Sequence, residues 1–395
     1  MRSLLLIVCL ASRLVASPLQ ADTEALAQKA VDAERRGDFR TAVSAFQELL
    51  RSGADSAELR SNLGIAYYQL RDFSAALREF RVTLSKTPDS IPANLFSGLS
   101  LVKLDRPKEA LPYLERAHRA RPEAAEIVLA LAQAEVAAND ILQSRASYQQ
   151  ATQLDPQSAE AWYGLGITNR VLAEQQVERS KHSAQAGAAA VNSSAKARAL
   201  MNASEESLAK AMQLDPNSVH ARMILGESFR IAERYEDAVR QYQSATEQQP
   251  DLAPAWVGLA VAYSASGDNE KALTAAFRAL ALDPNDAETN AVIAGALVRQ
   301  GEYDKAKPYA TRALELQPDL ASAHVVRAKI YLAQQQPAKA LPDLEAAVKD
   351  DIDGSTYYLL GTTLRQVGKQ AEAAAAIQKY KQLHSTHRAA GPNHQ

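Results

Sequence analysis

Residues 250–284 read PDLAPAWVGLAVAYSASGDNEKALTAAFRALALDP, a proline-to-proline passage that holds one full period of the chain. Pro250 and Pro284 are 34 residues apart, and Pro88, Pro122, Pro156, Pro216 and Pro318 keep the same count. The one irregular interval, Pro156 to Pro216, is 60 residues, a period plus 26. A fixed period of this length marks a stack of like supersecondary units. Each unit buries its apolar face on its neighbours, so added length means added units rather than added domains.

Numbering each proline as position 32 of a 34-residue unit aligns the rest. Position 8 reads Ala30, Gly64, Gly98, Ala132, Gly166, Gly226, Ala260, Ala294, Ala328 and Gly361. Position 20 reads Ala42, Ala76, Ala110, Ser144, Ser204, Ala238, Ala272, Ala306, Ala340 and Ala373. Both are always small, and two helices cross tightly only where side chains are minimal. Position 24 carries bulk: Phe46, Phe80, Leu114, Tyr148, Leu208, Tyr242, Leu344 and Ile377. Small and large residues at helical spacing predict a packed helical hairpin. Turns such as Gly37-Asp38 and Gly267-Asp268 split the unit. Asp-Pro or Gln-Pro closes it, because proline cannot continue the hydrogen-bond ladder. No useful stretch alternates with period two, so no strand is predicted.

The pattern resembles the tetratricopeptide repeat family, whose units begin W-x2-L-G-x2-Y. Trp162, Leu165 and Gly166 fall on it, as do Leu63, Gly64 and Tyr67, and Trp256, Leu259, Ala260 and Tyr263. About ten units start at residues 23, 57, 91, 125, 159, 219, 253, 287, 321 and 354, spanning 23–384. The resemblance implies an all-α, right-handed superhelical solenoid of helix-turn-helix repeats that holds another protein or a peptide segment. Two subsites known in the family are missing. Ala27 and Val31 stand where chaperone-binding members carry a lysine–asparagine clamp, and only Asn62 occupies the asparagine-ladder position.

The ends and the insertion differ from the repeats. Arg2 followed by the apolar run Leu4 to Ala11, then small residues at Ala16, Ser17 and Ala21, reads as a secretory signal over 1–21. It is too short to span a membrane, which takes about 20 apolar residues. The alternative is an irregular N-terminal helix. Cys9 is the only cysteine, so a processed chain would hold no disulfide and no thiol nucleophile. A secreted or periplasmic protein is expected. The 26 extra residues, 173–198, fall between the two helices of the fifth unit and are rich in alanine and charge. They predict either two lengthened helices or a disordered loop. Asn192-Ser193-Ser194 within them and Asn202-Ala203-Ser204 just beyond also fit a glycosylation pattern. Residues 385–395 read as a polar C-terminal tail.

No catalytic constellation is found: no P-loop, G-x-S-x-G, H-E-x-x-H or C-x-x-C occurs. Gly164-Leu165-Gly166 is half a dinucleotide fingerprint, but no strand precedes it, and tight helix packing explains it. His384 and His387 could share a helix face, yet no third metal ligand is fixed beside them. A net charge of −2 and a pI near 6.4 give no basic face for nucleic acid. No cofactor, metal or transmembrane span is therefore expected, and the oligomeric state is not legible.

A binding surface is expected on the first helix of each unit, where positions 2, 5, 9 and 12 share a face. In units 2 to 5 this face collects Tyr68, Leu95, Leu99, Val102, Leu129, Val136, Tyr163 and Ile167, with Gln133 and Arg170 among them. These residues, Gln133 apart, are the candidate partner-binding set. Later units give a more mixed face that includes Met223, Glu227, Arg230, Val257, Val261, Val298, Lys329 and Arg365. Glu135 and Asn169 break the pattern: they stand at position 11, where other units place Tyr67, Leu101, Phe229 or Leu297. Either both tilt to the solvent edge or they meet as a polar seam. The functional reading is a non-catalytic envelope scaffold or adaptor. The alternative is an accessory subunit of an envelope enzyme complex serving glycan or sulfate transfer or cytochrome maturation.

Overall fold

A computed structural model describes residues 18–182, 188–351 and 353–390. Its chain divides into two compact units, Met1–Leu214 and Asp215–Gln395. The first unit contains α1 (Pro18–Arg35), α2 (Phe39–Arg51), α3 (Ala57–Gln69), α4 (Phe73–Lys86), α5 (Ile91–Lys103), α6 (Pro107–Ala120), α7 (Ala125–Ala137), α8 (Ile141–Leu154), α9 (Ala159–His182) and α10 (Ala188–Leu214). The second contains α11 (Val219–Ile231), α12 (Tyr235–Gln248), α13 (Ala253–Ser266), α14 (Asn269–Leu282), α15 (Ala287–Arg299), α16 (Tyr303–Leu316), α17 (Ala321–Ala333), α18 (Pro337–Ala347), α19 (Ser355–Gln366) and α20 (Gln370–Ala390). No strand occurs among the described residues. Within each unit every helix packs on the next, and α3, α5, α7 and α9, like α11, α13, α15 and α17, also touch in series.

Outside repeat 5, the turn inside the hairpin is built by two residues. One adopts a left-handed backbone, such as Gly37 at φ 76° or Gly267 at φ 87°, and reverses the chain. The next is often aspartate, whose carboxylate caps the second helix. Asp38 accepts from the Thr41 N–H at 3.2 Å, Asp72 from Ala75 at 2.9 Å and Asp140 from Gln143 at 3.3 Å. Each cap satisfies a backbone donor that has no partner inside the helix. In two of the turns that lack aspartate, Pro107 and Pro337 open the helix, and a proline has no N–H to satisfy there.

Positions 8 and 24 meet inside each hairpin. A Cβ placed on Gly64 would lie 2.5 Å from the Phe80 ring, and one on Gly98 would lie 2.4 Å from Leu114 Cγ. The small residue is therefore the floor on which the large one rests. Position 20 is fully buried, and its two serines bond across the crossing: Ser144 Oγ donates to Ala132 O at 3.0 Å and Ser204 Oγ to Gly166 O at 2.7 Å. A buried hydroxyl is tolerated there because it is paired.

The closing prolines also have a structural partner. In several repeats the side chain at position 4 donates to the carbonyl of the proline that closes the repeat before it. Trp162 Nε1 reaches Pro156 O at 3.0 Å, Trp256 Nε1 reaches Pro250 O at 2.9 Å, and Asn94 Nδ2 reaches Pro88 O at 2.8 Å. Arg222 Nη2 does the same to Pro216 O at 2.9 Å.

Repeat 5 carries the two longest helices among the described residues, α9 with 24 residues and α10 with 27. They pack on each other, with Ala173 and Ala197 buried, and residues 183–187 lie outside the described residues. The helix α20 runs through Ala390, into the stretch read as a tail. The apolar run Leu4 to Ala11 and Cys9 lie outside the described residues. Among the described residues no helix is long and apolar enough to cross a membrane.

Candidate functional site

Two surfaces carry candidate residues, one in each compact unit. In the first, α3, α5, α7 and α9 contact one another in series and share the face read as a groove. Tyr68, Leu99, Val102, Leu129, Val136, Tyr163, Ile167 and Arg170 are all half-buried. Positions 7 and 8 on the same helices are closed off, with Leu63 at 1% and Ala132 at 0% exposure. The strip is thus an apolar layer lying over a filled core. Tyr68 meets Phe73 and Phe96 edge-on, with ring centroids 5.5 and 5.1 Å apart. Burial pushes the Tyr68 and Tyr163 hydroxyls above their ordinary range. Leu99 and Val102 pack on one core cluster, and Leu129 and Val136 on the Ala132–Tyr148–Leu165 cluster.

Leu95 stands apart: it is 4% exposed and belongs to the core cluster beneath Leu99 and Val102. It supports the strip and leaves little surface for a partner. Arg170 donates through Nε to Glu174 at 2.8 Å on the same helix, so its charge is partly spent locally. Gln133 bridges two helices of the strip, donating to Glu160 at 2.7 Å.

The polar pair resolves differently from either reading. Glu135 and Asn169 are both buried, at 4% and 2% exposure, so neither tilts to the solvent edge. They do not bond each other. Asn169 Oδ1 accepts from Arg145 Nε on α8 at 2.6 Å, and that long side chain is the seam. Glu135 Oε2 has no hydrogen-bond partner. Burial pushes the Glu135 carboxyl up to about 7, and a hydrogen bond from Ser147 opposes the shift only in part.

In the second unit a cavity of 340 Å³ opens on the corresponding face of α11, α13 and α15. It is lined by Glu227 and Arg230 of α11, Pro254, Val257 and Val261 of α13, and Glu288 of α15. These occupy positions 2, 5, 9 and 12 of their repeats. Arg230 grips Glu227 with two hydrogen bonds of 2.8 and 2.6 Å, and the Tyr242 hydroxyl donates to the same carboxylate at 3.1 Å. This network raises the Arg230 guanidinium further and fixes both side chains. Glu227, Arg230, Val257 and Val261 belong to the mixed face read from the sequence. Tyr242, at a core position on a second helix, was not readable as lining, and Glu288 carried no distinguishing signal. Among the described residues no group of three or more His, Cys, Asp or Glu could hold a metal ion.

Comparison with known proteins agrees with this geometry. One tetratricopeptide repeat model matches residues 28–91, 201–253, 293–355 and 325–388, more than half of the chain. A second model of the same repeat matches 101–166 and 229–296. No curated protein matches the chain. Among solved structures, a tetratricopeptide repeat protein from Parabacteroides merdae aligns with 15% identity over 70% of this chain and 99% of its own, at a TM-score of 0.50. YrrB, described as a TPR protein with an unusual peptide-binding site, aligns with 19% identity over 54% of this chain and 97% of its own, at 0.43. Yeast Tom70 aligns with 16% identity over 92% of each chain, at 0.41. The likeness to the Parabacteroides merdae structure is one of fold.

Proposed function

Because the chain belongs to the tetratricopeptide repeat family, we propose that it is a non-catalytic scaffold of the cell envelope that holds an extended or helical peptide segment of another protein. The observation that carries this reading is the half-buried strip of Tyr68, Leu99, Val102, Leu129, Val136, Tyr163 and Ile167 on four first helices. A contiguous apolar patch left at a surface marks an interaction site. Tyrosine adds large contact area at low entropic cost. The envelope location rests on the run from Leu4 to Ala11 and on the lack of any cysteine after Cys9.

One experiment tests the surface. The chain and its Leu99→Ser/Tyr163→Ser variant are used to capture proteins from an envelope extract. The double variant should keep the parent's helical signal and melting temperature, and should lose a partner that the parent retains. Equal capture by both removes the strip as the site. Structural or assembly proteins among the captured set support a scaffold; a catalytic subunit supports the accessory role. N-terminal sequencing of the mature protein tests export, which a cytoplasmic protein beginning at Met1 would exclude.

A further inference from the structure

The cavity in repeats 6 to 8 has a chemistry that the apolar strip does not share. Four of its lining side chains are carboxylates, from Glu227, Asp283, Asp286 and Glu288, against the single guanidinium of Arg230. Three of the four are already engaged. Glu227 is held by Arg230 and Tyr242. Asp283 accepts the Asn285 N–H at 3.0 Å, and Asp286 caps α15 through the Thr289 N–H and hydroxyl at 2.6 and 2.5 Å. Glu288 lines the cavity with an exposed side chain; among the described residues it makes no hydrogen bond or close ion pair, and Arg230 acts on it only through its field. The opposite wall, Pro254, Val257, Gly258 and Val261, is apolar.

We propose that this cavity is a subsite for the side chain of a lysine or arginine carried by a peptide partner. The aliphatic stem would lie along Val257 and Val261, as long cationic side chains do on apolar surface. The charged head would meet Glu288, the one carboxylate without a partner. An anionic side chain is repelled by the net charge of the lining. A wholly apolar side chain would take water from Glu288 and give it nothing in return, which is unfavourable. Desolvation at the cavity wall and the neighbouring Asp286 and Glu227 push the Glu288 carboxyl up, with Arg230 opposing, while the side chain stays open to an incoming cation. Glu227, fixed by the Arg230 fork and the Tyr242 hydroxyl, gives the site a rigid side.

The site lies wholly in Asp215–Gln395, goes beyond the strip reading, and stands or falls separately from it. The test uses the full chain and fluorescein-labelled peptides of sequence GAVXVAG-amide, with X as Arg, Lys, Gln or Glu, read by anisotropy. The Arg and Lys peptides should bind at least about tenfold tighter than the Gln peptide, with the Glu peptide weakest. Glu288→Gln should erase that preference, and Val257→Trp, which fills the cavity, should weaken every peptide. Leu99→Ser/Tyr163→Ser should keep the preference, which separates this site from the strip. Equal binding of Arg and Gln peptides, no binding of any peptide, or a preference that survives Glu288→Gln overturns the proposal. Putrescine binding as tightly as the Arg peptide would overturn the assignment to a peptide side chain.

Discussion

The Tyr148 ring of one repeat lies across Gly164 of the next, so closely that a Cβ on Gly164 would stand 2.1 Å from Tyr148 Cε1. Tyr148 is 6% exposed and wedged between Ala132 and Leu165. The same relation recurs in the second unit, where a Cβ on Gly258 would stand 2.3 Å from the Tyr242 ring. A tyrosine at position 24 is thus longer than its own hairpin can accommodate, and glycine at position 6 of the following repeat receives the excess. This couples neighbouring repeats through shape, and in a stack of this kind neighbour interfaces supply much of the stability.

Gly164→Ala should therefore destabilise the first unit by about 2 kcal/mol, because the ring has no room to retreat. Gly295→Ala makes the opposite case. Its Cβ would meet Val326 Cγ2 at 3.5 Å and Arg299 Nη1 at 3.7 Å, which are ordinary contacts. Alanine is the better helix former by up to about 1 kcal/mol, so this substitution should stabilise. Urea unfolding of the two variants beside the parent checks both signs; a neutral Gly164→Ala would mean that the tyrosine yields.

Glu135 gives the first unit a pH-dependent stability. Its carboxyl rises from an ordinary value of 4.5 to about 7 when the chain folds. Between these values the native state binds more protons than the unfolded chain, so stability falls as pH rises through that window. Below it the penalty is absent, and above about 7 it is complete. Glu135→Leu matches Leu101 and Leu297, which are buried at the same repeat position. It should add about 2 kcal/mol at pH 8 and little at pH 4. Denaturant titrations at the two pH values measure the difference, and an equal gain at both would point to packing rather than charge.

Most of the fold was legible because it repeats. Small residues at positions 8 and 20, bulk at 24 and aspartate at the turn each recur often enough for one sequence to show them. What the sequence could not show was contact between unlike positions. The reach of Tyr148 to Gly164 links position 24 to position 6 of another repeat, and no single period contains both. Glu135 stood out as polar at an apolar position, but its surroundings came from α8, where Arg145 serves Asn169 and leaves Glu135 Oε2 unpaired. The strip was legible as a helix face, yet Leu95 shows that a shared face does not mean equal exposure. The cavity draws on α11, α12, α13 and α15, so its outline exists only once the repeats are stacked.

Asp343 ties the second helix of the repeat that starts at residue 321 to its first helix. It is 3% exposed, accepts from Arg327 at 2.8 and 2.6 Å, and lies 2.7 Å from His324 Nδ1. Asp343→Ala would leave the Arg327 guanidinium without its acceptor and His324 Nδ1 without its partner, while His324 Nε2 keeps the Pro318 carbonyl at 2.9 Å. A loss of about 2–4 kcal/mol is expected, since removing one partner of a buried network strands the other. The exposed pair Lys369–Glu372, at 3.0 Å, is the control: Glu372→Ala should change nothing measurable. Thermal unfolding of both variants makes the comparison, and equal effects would mean that burial does not set the strength of these pairs.

Deleting residues 173–198 should leave the solenoid folded. The cut joins Leu172 to Ala199 and restores the 34-residue spacing from Pro156 to Pro216. In the shortened repeat Ala199 takes position 15, where other hairpins place a left-handed residue, so the new turn costs about 1 kcal/mol in an alanine. Ala173 and Ala197 are small, and Val177 is 43% exposed, so the apolar surface lost is modest. The position 8 to position 24 contact of this repeat, Gly166 on Leu208, lies outside the deleted stretch, as does the Ser204 bond to the Gly166 carbonyl. The shortened chain should unfold within about 2 kcal/mol of the parent. A larger loss would show that the long α9–α10 hairpin stabilises the unit beyond repeat 5.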